Sequence, residues 1–111
     1  MNSLDKIEDM RSDDPFDRLI FEDGLRAVDL RIYKKLDLMV VVLNSGKALE
    51  INLSGYPTLK RAPEKELKKW KLVFGGEGFE WKGLNYDLSL KGFLQKAALK
   101  SLEYREHHIT A

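Results

Sequence analysis

Residues 38–53 read LMVVVLNSGKALEINL, and this stretch decides the fold. Its first six residues are apolar and lead into Asn44-Ser45-Gly46, where glycine can take the positive φ of a tight turn. After the turn, apolar and polar residues alternate as far as Leu53, which is typical of a strand with one buried face. We therefore expect a β-hairpin that pairs Leu38 to Leu43 with Lys47 to Leu53. Because Leu38 to Leu43 is apolar on both faces, it is either covered on both sides or covered on one side with the other open to a partner.

A similar pattern precedes this hairpin, at an offset of 22 residues at the turns and 23 residues afterwards. The β-rich run Leu19-Ile20-Phe21 is followed by Glu22-Asp23-Gly24, which is again a turn signal. The pattern predicts a first hairpin that pairs Phe16 to Phe21 with Leu25 to Ile32. Since an isolated hairpin is marginally stable in water, the two are expected to join as an antiparallel β-meander of about four to five strands over residues 16–53.

Residues 57–103 predict a helix, a strand region and a second helix. Pro57 and Pro63 have the φ of a helix's first turn, which predicts a short turn at 57–62 and a helix from Pro63 to about Trp70. Two extended segments, 71–74 and 78–81, then flank a glycine-rich turn. Asp87 or Ser89 caps a last helix that continues to about Glu103. Its buried stripe is expected to contain Leu90, Phe93, Leu94, Ala97, Ala98 and Leu102. The predicted fold class is α+β, with the meander packed against a short helix and a longer C-terminal helix.

The composition fits a single domain over residues 1–111. The chain contains 19 Lys and Arg, 18 Asp and Glu and no Cys, and its formal net charge is +1. A chain of this length can bury one hydrophobic core without disulfides or cysteine-bound zinc. No apolar run approaches the ~20 residues of a membrane-spanning helix, and the polar N-terminus does not resemble a signal peptide. We therefore expect a soluble, cytoplasmic protein with no membrane contact.

The charge is unevenly distributed along the chain. The acidic composition of residues 1–14 favours a flexible segment or, alternatively, a short helix that Ser3 caps. The densest basic stretch contains Lys60, Arg61, Lys65, Lys68, Lys69 and Lys71. Such a stretch can contact nucleic acid or form an ordinary solvated surface. Five aromatic residues lie nearby, and they fit either a nucleic-acid platform or packing between helix and sheet: Trp70, Phe74, Phe79, Trp81 and Tyr86.

No motif of the chain predicts catalysis, a cofactor or a metal. Gly75 to Gly78 is followed by strand-like residues and not by a helix, so its spacing does not fit a phosphate-binding loop. His107 and His108 are adjacent, and neighbouring side chains diverge too far to share a metal ion. Glu80 and Asp87 could form a general acid–base pair, but no nucleophile accompanies them. We expect a protein that is not an enzyme.

The segment from Lys47 to Leu94 resembles a small bacterial family catalogued as domain of unknown function 2442. The resemblance depends on the order and spacing of Tyr56, Pro57, Pro63, Trp70, Gly76, Gly78, Trp81, Asp87, Ser89 and Gly92. It implies a compact α+β domain with no established activity. Some relatives are joined to a helix-turn-helix DNA-binding segment, and many are encoded beside another small protein, as toxins and antitoxins are. This chain lacks a following DNA-binding segment, and its last helix extends beyond the usual family ending.

These observations predict a non-enzymatic protein-interaction or regulatory module with an antitoxin-like character. Its partner is expected to be another small protein or a second copy of the chain, and its contact surface to include Leu38 to Leu43 or the 89–103 helix. The alternative is a nucleic-acid-binding regulator that uses the basic stretch between Lys60 and Lys71.

Overall fold

The computed structural model describes residues 14–110, and it describes side chains as far as Leu102. The expectations for the remainder of the acidic N-terminal segment and for the side chains of His107 and His108 therefore lie outside the described residues. The fold class is α+β, as expected. Two three-stranded antiparallel sheets and a long C-terminal helix replace the single meander of four to five strands.

The first predicted strand is wrong, because residues 15–22 are helical. Helix α1, Pro15–Asp17, continues into a π-helical turn, Arg18–Glu22. The Asp14 carboxylate caps this helix by accepting the backbone N–H groups of Phe16 at 2.8 Å and Asp17 at 3.4 Å. Pro15 occupies the first turn, where its fixed φ favours a helix and its missing N–H costs nothing. This local capping outweighs the β-propensity of Leu19-Ile20-Phe21.

The first sheet has the order β1–β2–β3, formed by Ala27–Tyr33, Leu38–Leu43 and Ala48–Asn52. The predicted second hairpin is confirmed, with Leu38 opposite Asn52 and Val42 opposite Ala48. On the central strand β2, Met39, Val41 and Leu43 are buried and their neighbours are half-buried. Of the two alternatives for this strand, the sheet is thus covered on one side and partly open on the other.

The second sheet has the order β4–β5–β6, formed by Lys71–Val73, Gly78–Trp81 and Tyr86–Ser89. The two predicted extended segments are confirmed as β4 and β5, whereas β6 was not expected. Its turn, Lys82–Leu84, resembles the turn Lys34–Leu36 between β1 and β2. Each is a single 3₁₀ turn that ends in a left-handed residue, Asp37 at φ 53° and Asn85 at φ 49°.

The helices between the sheets differ from the expected turn and helix. Pro57–Arg61 forms helix α2, and Glu64–Leu67 forms helix α3. Ala62 separates them with an extended backbone, φ −72° and ψ 148°, because a residue before proline is driven away from the helical region. The predicted helix from Pro63 to Trp70 is therefore one turn long.

The last helix, α4, spans Leu90–Thr110. Of the two candidate caps, Ser89 caps it, since its Oγ accepts the backbone N–H of Gly92 at 3.0 Å. Asp87 belongs to β6 instead. Lys91 ties α4 to α1 through ion pairs of 2.9 Å with Asp14 and 3.0 Å with Asp17.

Only the first part of the predicted stripe on α4 is buried. Leu90, Phe93 and Leu94 belong to the core. Leu102, which the stripe places in the core, is 55% exposed, and Leu99 is 59% exposed. The second half of the described helix surface therefore has little packing against the two sheets.

The core joins both sheets and α4 through aromatic contacts. Phe79 is fully buried, with its ring centroid 5.6 Å from that of Trp70 and 5.7 Å from that of Phe93. Trp81 is 1% exposed, and its indole Nε1 donates to the Leu67 carbonyl at 3.1 Å. The packing interpretation thus holds for Phe79 and Trp81. Among the described residues, no helix combines the length and the apolar character that a membrane crossing requires.

Candidate binding groove

The basic stretch from Lys60 to Lys71 does not act as one free patch. Lys60 forms a 3.0 Å ion pair with Asp37, and Lys69 forms a 3.2 Å ion pair with Glu66. The hydrogen bond from Lys60, followed by that from the Ser54 hydroxyl, lowers the pKa of Asp37. The other members lie on different elements: Arg61 on α2, Lys65 on α3, Lys68 after α3 and Lys71 on β4. Their charges are therefore spread along a bent segment.

Lys68 instead lines a groove of about 520 Å³ beside the end of β1, which we call the β1 groove. One wall is residues 30–36, and the other is formed by Glu64, Leu67, Lys68 and Trp70. Leu30 and Leu67 are each 2% exposed and form the base of the groove. Ile32 and Trp70 are half-buried above them, so the interior of the groove is apolar.

Two large apolar side chains are exposed at the rim of the β1 groove. Tyr33 is 46% exposed and Leu36 is 69% exposed. Exposed apolar groups beside an apolar cavity extend the surface that a partner could remove from water. The β1 groove therefore combines a buried base with accessible contact area.

The β1 groove follows the open edge of a strand. Its wall includes β1 residues of both faces, the inward-facing Leu30 and Ile32 and the outward-facing Arg31 and Tyr33. Since β2 occupies one edge of β1, the groove lies along the other. The start of that edge is covered, because the Ala27 N–H donates to the Gly76 carbonyl at 2.8 Å. Within the described part of the chain, no backbone hydrogen bond from outside the sheet reaches β1 beyond Ala27.

The rim of the β1 groove carries four basic side chains and one acidic side chain: Arg31, Lys34, Lys35 and Lys68, with Glu64. Arg31 pairs with Asp29 at 2.8 Å, and this contact lowers the pKa of Asp29 and raises that of Arg31. The Lys34 ammonium donates to the Ala62 carbonyl at 2.5 Å. Lys35 and Lys68 are exposed, and no described residue forms an ion pair with either. The groove is consequently electropositive.

The sequence analysis named Lys68 and Trp70 but missed Arg31, Lys34 and Lys35. The signal was present as the pair Lys34-Lys35 directly after a predicted strand. These residues lie more than thirty positions before Lys68, and only the tertiary packing brings them to the same groove.

Most of the family-motif positions build the fold. Tyr56 and Trp81 are core residues, and burial raises the pKa of Tyr56 to about 12. Pro57 and Pro63 lie at the starts of α2 and α3, and Ser89 and Gly92 form the cap of α4. Gly76 and Gly78 are buried where strands approach closely, since an added Cβ would lie 2.3 Å and 2.7 Å from the carbonyl oxygens of Ala27 and Leu88. Trp70 is the motif residue that also lines the β1 groove.

The structure places Glu80 and Asp87 directly opposite each other on β5 and β6. Lys71 lies across from Glu80 on the other side, so a cation separates the pair from solvent-exposed β4. These residues belong to the outer face of the second sheet. Among the described residues, no group of three or more His, Cys, Asp or Glu side chains could hold a metal ion.

Phe74 is 83% exposed at the turn between β4 and β5, in a backbone conformation that disfavours its side chain. Its φ is 48° and that of Gly75 is 65°, while the Gly76 N–H donates to the Val73 carbonyl at 3.1 Å. This turn favours Asn, Asp or Gly, because a bulky residue at positive φ is strained. We expect Phe74→Asn to raise the free energy of unfolding by about 1 kcal/mol in urea titrations.

The matched control is Phe74→Ala, which removes the ring but keeps a side chain that is unfavourable at positive φ. It is expected to leave stability nearly unchanged. A loss of stability in both variants would mean that the phenylalanine ring stabilises the turn by packing.

Comparison with known proteins gives a family for the chain. The family described as "Protein of unknown function (DUF2442)" matches residues 27–98. A crystal structure of a protein of unknown function from Rhodospirillum rubrum is 25% identical, with a TM-score of 0.57, over 65% of this chain and 87% of that one. An NMR structure of an uncharacterised protein from Chromobacterium violaceum is 18% identical, with a TM-score of 0.59, over 87% and 84%, and shows a similar fold. No curated protein matches the chain.

The family match begins at the first residue of β1 and ends within α4. It therefore contains both sheets and every residue that lines the β1 groove. Because the match covers well over half of the chain, and because the motif positions named from the sequence occupy structural positions within it, the protein belongs to the DUF2442 family.

Proposed function

We propose that this chain is a non-enzymatic protein-interaction module and that the β1 groove is its contact surface. The observation that carries the proposal is the coincidence of an open strand edge with an apolar groove of about 520 Å³. Backbone groups along a strand edge bind another chain, and an apolar groove supplies the desolvation energy for that contact. The exposed Tyr33 and Leu36 add contact area at the rim.

Other surfaces support this proposal less well. On β2, the outward residues Leu38, Val40 and Val42 are half-buried, and polar residues such as Arg31 and Glu50 lie beside them. The exposed leucines of α4 are two separate side chains without a groove between described elements. An antitoxin-like role, in which the partner is another small protein encoded nearby, fits the family resemblance and is part of the proposal.

The test is native purification of the chain, followed by substitution of the rim. We expect a stoichiometric protein partner to co-purify with the wild-type chain and to be lost with the double variant Tyr33→Glu and Leu36→Glu. Both side chains are exposed, so the variant should keep its fold, which circular dichroism would verify. The matched control, Leu99→Glu with Leu102→Glu, places the same charges on exposed apolar positions of α4 and should retain the partner.

The proposed contact surface would be overturned if the rim variant kept the partner or if the α4 variant lost it. Recovery of a monomer with no protein bound would overturn the interaction role. A chemical activity that disappears with Glu80→Gln and Asp87→Asn would overturn the proposal that the chain is not an enzyme.

Nucleic-acid binding is the second candidate, favoured by the exposed and unpaired Lys65 and Lys68 on one short segment. Contacts with phosphates release counterions, so the affinity should fall steeply as salt is added. Binding that is unchanged after charge reversal at Lys65, Lys68 and Lys69 would exclude this candidate.

A further inference from the structure

We infer that the occupant of the β1 groove is an acidic segment of a partner protein, bound in an extended conformation as an additional strand beside β1. This inference rests on the proposed function and specifies the chemistry of the partner. It follows from three properties of the groove: the hydrogen-bonding capacity of its strand, the shape of its interior and the sign of its charge.

The open part of β1 determines the conformation of the occupant. Beyond Ala27, residues 30–33 have β2 on one side and the groove on the other. An extended segment of about four residues would match this length at roughly 3.3 Å per residue. Strand addition satisfies backbone groups that otherwise bind water, and it places alternate side chains towards the groove.

The apolar interior determines which side chain enters. Ile32 and Trp70 are half-buried on opposite walls, above the buried Leu30 and Leu67. An aliphatic or aromatic side chain of the added strand would contact both walls and leave water. Its neighbours in sequence would then point away from the interior, towards the rim.

The charged rim determines the sign of those neighbours. Lys35 and Lys68 lie on opposite walls without an ion pair to any described residue, and Lys34 lies beside them. Acidic side chains flanking the apolar anchor would pair with these ammonium groups. The remaining acidic residue of the rim, Glu64, is outnumbered.

The same charges oppose a second copy of this chain as the occupant. Antiparallel pairing of two β1 strands would bring Arg31, Lys34 and Lys35 of one chain close to the same residues of the other. Like charges in direct opposition are destabilising across a strand pair. Lysines beside an edge also discourage pairing with uncharged strands, so the groove selects for acidic ones.

The inference can be tested by selecting binders of the intact chain from a library of randomised seven-residue peptides. We expect enrichment of sequences in which Asp or Glu alternates with a large apolar residue. In fluorescence anisotropy, the double variant Lys35→Glu and Lys68→Glu should weaken a selected peptide by about tenfold or more. The matched control, Lys47→Glu with Lys100→Glu, reverses two exposed charges away from the groove and should leave the affinity unchanged.

A second arm separates strand addition from simple charge attraction. N-methylation of alternate amides in the selected peptide removes backbone donors without changing its charge, and it should weaken binding by about tenfold. Equal binding of the methylated peptide would overturn strand addition. Enrichment of basic or uncharged peptides, no enrichment at all, or an unchanged affinity of the Lys35 and Lys68 variant would overturn the acidic occupant.

The two proposals fail in different ways. If the rim variant Tyr33→Glu and Leu36→Glu loses the native partner while the selected peptides are not acidic, the contact surface holds and the inferred chemistry is wrong. A dimer in light scattering that Lys35→Glu strengthens would instead identify a second copy as the occupant.

Discussion

Gly76→Ala should lower the free energy of unfolding by about 3 kcal/mol or more. A Cβ at this position would lie 2.3 Å from the Ala27 carbonyl oxygen and 3.1 Å from the Ala27 nitrogen, and Gly76 has a φ of 109°. Both obstacles involve backbone, which cannot move aside as a flexible side chain can. The substitution would also disturb the hydrogen bond from the Ala27 N–H to the Gly76 carbonyl, which joins the two sheets. Urea unfolding followed by circular dichroism would measure the loss.

Gly46 provides the matched control for this substitution. Its φ is 89°, but an added Cβ would meet nothing within 4 Å. Gly46→Ala should therefore carry the cost of positive φ alone, about 1 kcal/mol. The difference between the two variants measures the close approach of the second sheet's turn to β1, and equal losses would contradict that approach.

Trp81→Ala should lower the free energy of unfolding by about 4 kcal/mol, because it removes the largest fully buried side chain. The indole is 1% exposed, and its ring centroid lies 6.4 Å from that of Phe79 and 6.3 Å from that of Tyr86. Its N–H also satisfies the carbonyl of Leu67 at the end of α3. The same urea experiment measures the effect.

Trp81→Phe keeps the prediction testable if the alanine variant does not fold. It retains most of the buried ring but leaves the Leu67 carbonyl without its donor, which should cost about 2 kcal/mol. Trp70→Phe is the control, since Trp70 is half-buried and no described residue accepts a hydrogen bond from its indole. A Trp81→Phe loss no larger than that of Trp70→Phe would contradict the role of the Leu67 contact.

The sequence predicted the elements whose local signals agree with one another. In the hairpin of β2 and β3, alternation, β-branched residues and an Asn-Ser-Gly turn all indicate the same structure. At residues 16–21 the signals conflict: Leu19-Ile20-Phe21 favours a strand, whereas Asp14 and Pro15 start a helix. The helix forms because its cap is satisfied locally and Lys91 holds it from a distant part of the chain.

The duplication in the chain was sought at the wrong period. Tyr33-Lys34-Lys35-Leu36-Asp37 and Trp81-Lys82-Gly83-Leu84-Asn85 both end a strand, make a 3₁₀ turn and reverse through a left-handed Asp or Asn. These segments are 48 residues apart, while the apparent repeat of 22 to 23 residues joined a helix to a hairpin. Recognition of the longer period would have predicted β6 and two sheets in place of one meander.

The candidate site was only partly accessible to sequence reasoning. Lys68 and Trp70 were named because they lie in a dense run of charged and aromatic residues. The run itself gave no indication that Lys60 and Lys69 are neutralised by Asp37 and Glu66. An open strand edge is a property of sheet order, and no local pattern along β1 distinguishes an edge strand from a central one.

The ion pairs of Lys91 with Asp14 and Asp17 affect the order in which the chain assembles and opens. They close a loop from residue 14 to residue 91, and the entropy lost in closing so long a loop is recovered only after the sheets have formed. Docking of α1 is therefore a late step, and its release requires no strand to separate. Amide hydrogens of the π-helical turn should accordingly exchange with solvent before those of β2.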